Sequence, residues 1–145
     1  KEIEKFEGKE IELMGWVAVR RDHGKLIFID LRDRSGLAQI VFNPKNSDLQ
    51  KQADKLRSEW VVKIKGNVNK RPKGMENPKI PSGNYEIVAT HLEILTEAKT
   101  PPFDLSEDGR DVSEDVRMQY RYLDLRRPRM QKNIRERAKF IQFIR

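Results

Sequence analysis

The 145-residue sequence contains no cysteine and only two histidines. Without cysteine a chain forms neither disulfides nor thiolate metal sites, and two histidines outside a shared motif do not indicate a zinc site. No apolar run approaches the roughly 18–20 residues of a membrane span, and residues 1–4 have no signal-peptide character. We therefore expect a cytoplasmic protein without a metal site and without a membrane partner.

Charged residues, in contrast, are abundant. Lysine and arginine number 30 and aspartate and glutamate 23, which gives a formal net charge of +7. This balance is typical of proteins that contact phosphates, although charge alone favours nucleic acid only slightly, because many basic domains bind none. The apolar residues fall into periodic runs, which disordered chains lack. The composition thus predicts a folded, basic domain.

Alternating apolar and polar residues predict five short β-strands, so the fold class is dominated by β-structure. The first three strands are joined by short turns and form a meander. One short helix, with Leu49, Ala53 and Leu56 at helical spacing, lies between strands 3 and 4. This order is that of the OB-fold, a five-stranded Greek-key barrel, although other small barrels share most of it. The predicted strands cover residues 11–20, 26–31, 37–42, 60–68 and 85–95.

The composition changes after the fifth predicted strand. Residues 98–103 contain two prolines and precede an acidic stretch at residues 107–115, a pattern typical of linkers. Pro128 is a favoured first-turn residue, and apolar residues then recur at helical spacing. Because the apolar face of that helix needs a partner, we expect the chain to be part of a longer protein. The predicted regions are an OB-fold domain at 1–97, a linker or hinge at 98–127 and a helix at 128–145.

Strand alternation places two polar or aromatic side chains on the outer surface of the predicted barrel. Ile27 and Ile29 face the core of strand 2, so Phe28 faces outward, and the same rule places Gln39 outside strand 3. An exposed aromatic ring can stack on a base at roughly 1–3 kcal/mol. Phe28 could instead belong to a second small core. OB-folds bind ligands on the face of strands 2 and 3, which favours binding.

Basic residues are predicted to surround this face. They lie at the end of strand 1 or in and beside the loop between strands 4 and 5, where they would bind phosphates independently of sequence. Glu86 opens strand 5 beside this loop, and its carboxylate could accept the N1 and N2 protons of a guanine. The alternative is an ordinary ion pair with a neighbouring lysine or arginine. The basic residues are Arg20, Arg21, Lys70, Arg71, Lys73 and Lys79.

The run from Gly15 to Gly36 closely resembles the anticodon-binding domain of bacterial aspartyl-tRNA synthetases. Further blocks that resemble this family follow in the family's order. Asparaginyl and lysyl enzymes share the fold and a version of the last block, but the first turn and second strand fit the aspartyl branch best. The further blocks are residues 39–42, 71–72, 82–83, 86–87 and 120–128.

The resemblance implies a role for each candidate residue. The aromatic residue matching Phe28 stacks on the middle anticodon base, a uridine, and the glutamine matching Gln39 hydrogen-bonds to it. The glutamate matching Glu86 reads the first base, a guanine, and the arginine matching Arg21 helps to hold the loop. Arg71 is expected to belong to the same anticodon-binding surface.

The third anticodon base, C or U, separates the tRNAs for aspartate and asparagine. In the family a histidine in the first loop together with a glycine in the loop between strands 4 and 5 is associated with relaxed enzymes that charge both tRNAs. His23 and Gly74 occupy these positions in the sequence. The alternative is a solvated histidine and an ordinary turn glycine, so relaxed specificity is a hypothesis.

The resemblance also implies an enzyme of which this chain is one part. The family's class II catalytic domain uses ATP and Mg²⁺ to form an aspartyl-adenylate, and the complete enzyme is a homodimer; the helix at 128–145 resembles its start. The chain itself has no glycine-rich phosphate loop and no catalytic-triad spacing, so we predict binding to tRNA without catalysis. The alternatives are a free-standing OB-fold that binds single-stranded nucleic acid and the same domain of an asparaginyl or lysyl ligase.

Overall fold

The computed structural model describes residues 3–78, 80, 82–106 and 112–145. Within these residues the chain forms a short 3-10 helix at Ile3–Phe6, five strands and four α-helices. The strands are β1 (Glu10–His23), β2 (Leu26–Arg32), β3 (Leu37–Phe42), β4 (Val61–Lys70) and β5 (Tyr85–Thr96). The helices are α1 (Ser47–Lys55), α2 (Glu114–Gln119), α3 (Arg121–Asp124) and α4 (Pro128–Ile144).

The five strands close into a barrel in the order β1-β2-β3-β5-β4. β1 is antiparallel to both β2 and β4, and β4 is antiparallel to β5. The barrel closes where β3 and β5 run parallel, with Ile40 beside Ile87 and Val41 beside Val88. With α1 between β3 and β4, this topology confirms the predicted five-stranded OB-fold.

The core follows from the alternation along each strand. Ile27, Ile29 and Leu31 of β2 are buried inside the barrel, as are Ile40 and Phe42 of β3. Helix α1 adds Leu49 and Ala53 to the same apolar cluster. Its first turn is capped by Asn46, whose side-chain oxygen accepts a hydrogen bond from the Leu49 amide at 3.1 Å. The helix therefore packs onto the barrel core.

The β1–β2 hairpin is longer than the sequence predicted. The predicted turn began at Asp22, but Asp22 and His23 pair with Ile27 and Leu26 and belong to the strands. The turn is shorter than predicted because Gly24 has a φ of 60°, a conformation that glycine adopts without steric cost. His23 is consequently held at the end of a strand and is not part of a loop.

The described chain divides into two compact units, Lys1–Thr100 and Pro101–Arg145. The segment predicted to be a linker contains helices α2 and α3 in addition to irregular chain. In the second unit the Arg127 guanidinium lies 4.3 Å above the centre of the Phe103 ring, and Asp124 forms ion pairs with Arg117 and Arg121. The predicted linker therefore contains side chains that pack and pair with one another. Part of the predicted acidic stretch, residues 107–111, lies outside the described residues.

Helix α4 begins at Pro128, as predicted, and carries exposed apolar residues such as Phe140 and Phe143. Its seventeen residues include several arginines and lysines. Among the described residues, no helix is both long and apolar enough to cross a membrane.

Gly66 of β4 pairs with Ala89 of β5, next to an irregularity in the register of these two antiparallel strands. A Cβ atom at this position would stand 2.5 Å from the Val88 carbonyl oxygen and 2.6 Å from the Ile87 Cγ2 atom. We expect Gly66→Ala to lower the free energy of unfolding by about 2 kcal/mol, because overpacking a tight site commonly costs about 1–3 kcal/mol. Urea unfolding measures the change, with the exposed neighbour Lys65→Ala as the control. An unchanged unfolding midpoint in Gly66→Ala would contradict the close approach of the two strands.

Candidate nucleic-acid interface

A row of side chains on the outer face of the barrel centres on Phe28. Phe28 pairs with Arg21 of β1 on one side and with Val41 of β3 on the other. The ring is half-buried, and the His23 ring meets it edge to face, with 6.1 Å between the two centroids. Phe28 thus faces outward, as alternation predicted, and offers an aromatic surface that its neighbours orient.

A second row of polar side chains lies beside the first. Asp30 of β2 pairs with Gln39 of β3. Gln39 and Glu86 each directly precede the parallel pair formed by Ile40 and Ile87, so they are neighbours across the barrel closure. On the far side, Glu86 pairs with Asn69 of β4. Carboxylate and amide groups from four strands therefore form one polar strip.

Arg71 leaves the end of β4 beneath this strip. The sequence predicts Arg71 as part of the basic rim, but only 7% of the residue is exposed. Its Nε donates to the Tyr85 carbonyl oxygen at 3.0 Å, and its backbone amide donates to the Asn84 carbonyl oxygen at 2.9 Å. The Nη2 atom is buried without a hydrogen-bond partner. Arg71 therefore joins the loop between β4 and β5 to the start of β5.

Electrostatics links Arg71 to both carboxylates of the polar strip. Burial lowers the pKa of the Arg71 guanidinium, while the charges of Glu86 and Asp30 oppose that change. Burial raises the pKa of Glu86, and Arg71 partly offsets the effect. The pKa of Asp30 is also raised by burial, against the opposing influence of Arg21. The strip thus contains two partly desolvated acids close to cations.

Arg20 does not belong to this face, which corrects the predicted basic rim. It pairs with Ile29, whose side chain points into the barrel, whereas Arg21 pairs with outward-facing Phe28. Arg20 forms an ion pair of 2.7 Å with Asp54 of α1. Two adjacent strand residues point to opposite faces, so both arginines could not line the same surface.

The loop between β4 and β5 contributes the remaining candidates. Lys70 and Lys73 are exposed, as the basic rim requires, and Lys79 lies outside the described residues. Gly74 has φ of 85°, and a Cβ atom there would meet nothing within 4 Å. Its amide donates to the Glu76 carboxylate at 2.7 Å. Gly74 therefore forms a turn with open space around it.

Asp30 also lies on this candidate interface, although the sequence did not predict a function for it. Alternation places it on the same face as Phe28, but no role for its carboxylate followed from the sequence. In the structure it lies at the β2 end of the polar strip, beside Gln39, and accepts a hydrogen bond from Arg21 Nη2 at 2.6 Å. The strand pattern therefore gives its position, whereas its hydrogen bond with Arg21 is seen only in the structure.

Comparison with known proteins identifies the fold family. The family model for the tRNA anti-codon OB-fold nucleic acid binding domain matches residues 11–95. The chain belongs to this family. The match covers all five strands as far as Leu95 and includes both rows of the outer face described above.

Proteins of this anticodon-binding family resemble the chain over most of its length. An aspartate–tRNA(Asp/Asn) ligase of Halothermothrix orenii is 54% identical over 139 residues, which are 95% of this chain and 23% of the relative. A ligase of the same name from Moorella thermoacetica is 57% identical over 125 residues, 86% of this chain and 21% of the relative. The chain thus spans less than a quarter of the length of these curated relatives.

A solved structure has the same architecture. The asparaginyl-tRNA synthetase of Entamoeba histolytica in complex with asparaginyl-adenylate superposes with a TM-score of 0.71 at 27% identity. The superposition covers 94% of this chain and 31% of the synthetase. The fold seen here is therefore also present in a larger synthetase.

The raised pKa of Glu86 gives a prediction for stability. A folded-state pKa above the ordinary value of 4.5 means that the ionised carboxyl destabilises the fold at neutral pH, and that this cost disappears below about pH 4.5. Glu86→Gln, which mimics the neutral acid, should therefore melt at a higher temperature than the wild type at pH 7. The difference should vanish as the pH falls to about 4 or below.

Thermal unfolding of the two proteins across this pH range measures the effect. Glu93→Gln is the matched control, because the pKa of Glu93 is shifted in the opposite direction: a hydrogen bond from Lys63 lowers it. Removing that carboxylate should not stabilise the protein at pH 7. A Glu86→Gln protein that melts below the wild type at neutral pH would disprove the destabilising role of the ionised acid.

Proposed function

We propose that the chain is the anticodon-binding part of a cytoplasmic aspartate–tRNA ligase and that its outer face holds the anticodon loop of the tRNA for aspartate. One observation carries the proposal. Phe28, Gln39 and Glu86 come from three strands and lie on adjoining positions of one face. The names of the relatives, which match 86% or more of the chain, support the choice of amino acid.

Phe28 and Gln39 suit a uracil as the middle base. A base that stacks on the Phe28 ring would contribute about 1–3 kcal/mol. The Gln39 amide has a carbonyl acceptor and an NH₂ donor, which can pair with the N3–H and a carbonyl oxygen of uracil. Because Gln39 lies one strand away from Phe28 on the same surface, one flipped-out base can meet both groups.

Glu86 suits a guanine as the first base. The two carboxylate oxygens can accept the N1 and N2 protons of guanine, whereas adenine presents an acceptor at N1 and is rejected. Ionised Glu86 is required for this contact, and Arg71 helps to keep it charged by opposing the effect of burial. Asn69 lies beside Glu86 and adds a second polar group that can contact the same base.

The surrounding cations would supply affinity without regard to sequence. Arg21, Lys70 and Lys73 are exposed around the face, and the chain carries a net charge of +7. Contacts of this kind release counterions from the RNA, so binding should weaken as the salt concentration rises. Recognition of bases and attraction of phosphates are thus assigned to different residues.

The complete protein, in this proposal, is a homodimeric enzyme that activates aspartate with ATP and Mg²⁺. Among the described residues, no group of three or more histidine, aspartate or glutamate side chains could hold a metal ion. The residues present do not fit that chemistry, and no catalytic step is assigned to them. The contribution of this chain is to position the tRNA.

Phe28→Ala should weaken binding of an RNA hairpin carrying the Asp anticodon by roughly 5- to 150-fold, the loss of one stacked base. Gln39→Ala should weaken it about fivefold through the lost hydrogen bonds. Both side chains face outward, so circular dichroism should be unchanged. Fluorescence anisotropy with a labelled hairpin measures the affinity.

Trp16→Ala serves as the control for these variants. Trp16 is an exposed aromatic residue of β1 that pairs with Arg32 at the far end of β2. Its removal should leave the affinity within twofold of the wild type, about 0.4 kcal/mol. Normal affinity in both Phe28→Ala and Gln39→Ala would rule out this face as the anticodon site.

In this proposal, His23 and Gly74 allow the ligase to accept either C or U as the third anticodon base. The His23 ring lies against Phe28, beside the base position already assigned, and a neutral imidazole can donate or accept a hydrogen bond. It can therefore tolerate either C or U. Gly74 leaves open space in the opposite loop and offers no side chain that would select one pyrimidine.

Hairpins that differ only in C or U at the third position should accordingly bind within about tenfold of each other. His23→Ala should change their affinity ratio, whereas His91→Ala, which removes the other exposed histidine, should not. Charging of the two tRNAs by the complete enzyme provides the second measurement. A preference for the Asp tRNA by three orders of magnitude, about 4 kcal/mol, would exclude relaxed specificity.

A further inference from the structure

Asp30 places a negative charge at the β2 end of the polar strip, on a surface assigned to a polyanion. Its side chain is only 14% exposed and lies between Arg21 on one side and Gln39 on the other. A carboxylate in this position repels phosphates and lowers general affinity for RNA. Its presence therefore requires a compensating role.

Stabilisation of the fold does not account for Asp30. Its ion pair with Arg21 involves an arginine side chain that is 44% exposed, and pairs of that kind contribute little. Burial raises the pKa of Asp30 in spite of Arg21 and Arg71, so the ionised form destabilises the fold. The charge is kept on this face at a cost in stability.

The contact with Arg21 indicates what the carboxylate does. Asp30 Oδ1 accepts one hydrogen bond from Arg21 Nη2 at 2.6 Å. A guanidinium group has five N–H donors in a fixed plane, so this bond orients the group and leaves donors for a ligand. Arg21 pairs directly with Phe28 across the hairpin. The oriented guanidinium is thus held beside the ring proposed to stack a base.

We propose that Asp30 is a positioning residue that determines specificity. It holds Arg21 beside Phe28, and its charge excludes phosphates from the part of the polar strip that contains Gln39 and Glu86. Specificity can be achieved by repulsion of the wrong ligand as well as by attraction of the right one. An RNA that cannot place bases on the face presents phosphates to it and meets the negative charge. This inference rests on the proposed function, because it assumes that an anticodon occupies the face.

Asp30→Asn tests the inference, since it removes the charge and keeps the shape. The 145-residue chain would be titrated with two labelled hairpins of the same stem, one with the Asp anticodon and one with its first two bases replaced by A and C. The ratio of the two affinities should fall about tenfold or more in Asp30→Asn. The altered hairpin should bind as tightly as before or more tightly, and thermal unfolding should show no loss of stability.

Glu93→Gln is the matched control. It removes one negative charge from another cross-strand ion pair, in which Lys63 Nζ and Glu93 Oε2 are also 2.6 Å apart. A change of net charge alone would shift both hairpins equally in both variants and leave the ratio intact. An affinity ratio in Asp30→Asn within twofold of the wild type would overturn the inference.

A double-mutant cycle of Asp30→Ala with Arg21→Ala tests whether Asp30 acts through Arg21, because alanine, unlike asparagine, has no oxygen to accept the hydrogen bond from the guanidinium. The effects of the two substitutions on the Asp hairpin should be non-additive, because each removes the oriented guanidinium. Additive effects would overturn the positioning role. The wild type provides the separate check on the proposed function: if it binds both hairpins equally, the anticodon assignment fails, and this inference fails with it.

Discussion

The short parallel contact between β3 and β5 fixes the position of every proposed base contact. Ile40 lies beside Ile87 there, and both are completely or almost completely buried. A slip of one residue would turn Ile87 outward and drive Glu86 into the core. The apolar core therefore sets the register, and the register places Glu86 next to Gln39 on the outer face. The proposed base contacts on the outer face thus depend on the packing of the core inside the barrel.

Arg71 fixes the position of the loop between β4 and β5 relative to the strands. Its guanidinium donates hydrogen bonds to the carbonyl oxygen of Met75 in the loop and to that of Tyr85 at the start of β5. A buried guanidinium needs nearby negative charge, and Glu86 and Asp30 supply it. This compensation is only partial, because burial still raises the pKa of both acids. Arg71 thus connects the loop to β5 through hydrogen bonds and interacts with the polar strip through its charge.

The sequence predicted those features that depend only on local periodicity. Alternation was sufficient for the five strands and for the outward orientation of Phe28 and Gln39. It was also sufficient to separate Arg20 from Arg21, but basic residues were grouped by composition instead. The burial of Arg71 depends on carbonyl groups of a distant strand and has no local signal. Helices α2 and α3 are six and four residues long, too short for helical periodicity to identify them.

Charge acts on two length scales in this protein. The excess of lysine and arginine attracts RNA over distances of about 8–10 Å at physiological salt, and any RNA benefits equally. Asp30 and Glu86 act only at contact, where burial makes their charges less screened and raises the pKa of both. A surface with cations alone would bind backbone phosphates in many registers. In our proposal the two acids, which are kept on this face at a cost in stability, restrict phosphates to its edges and leave the polar strip for bases.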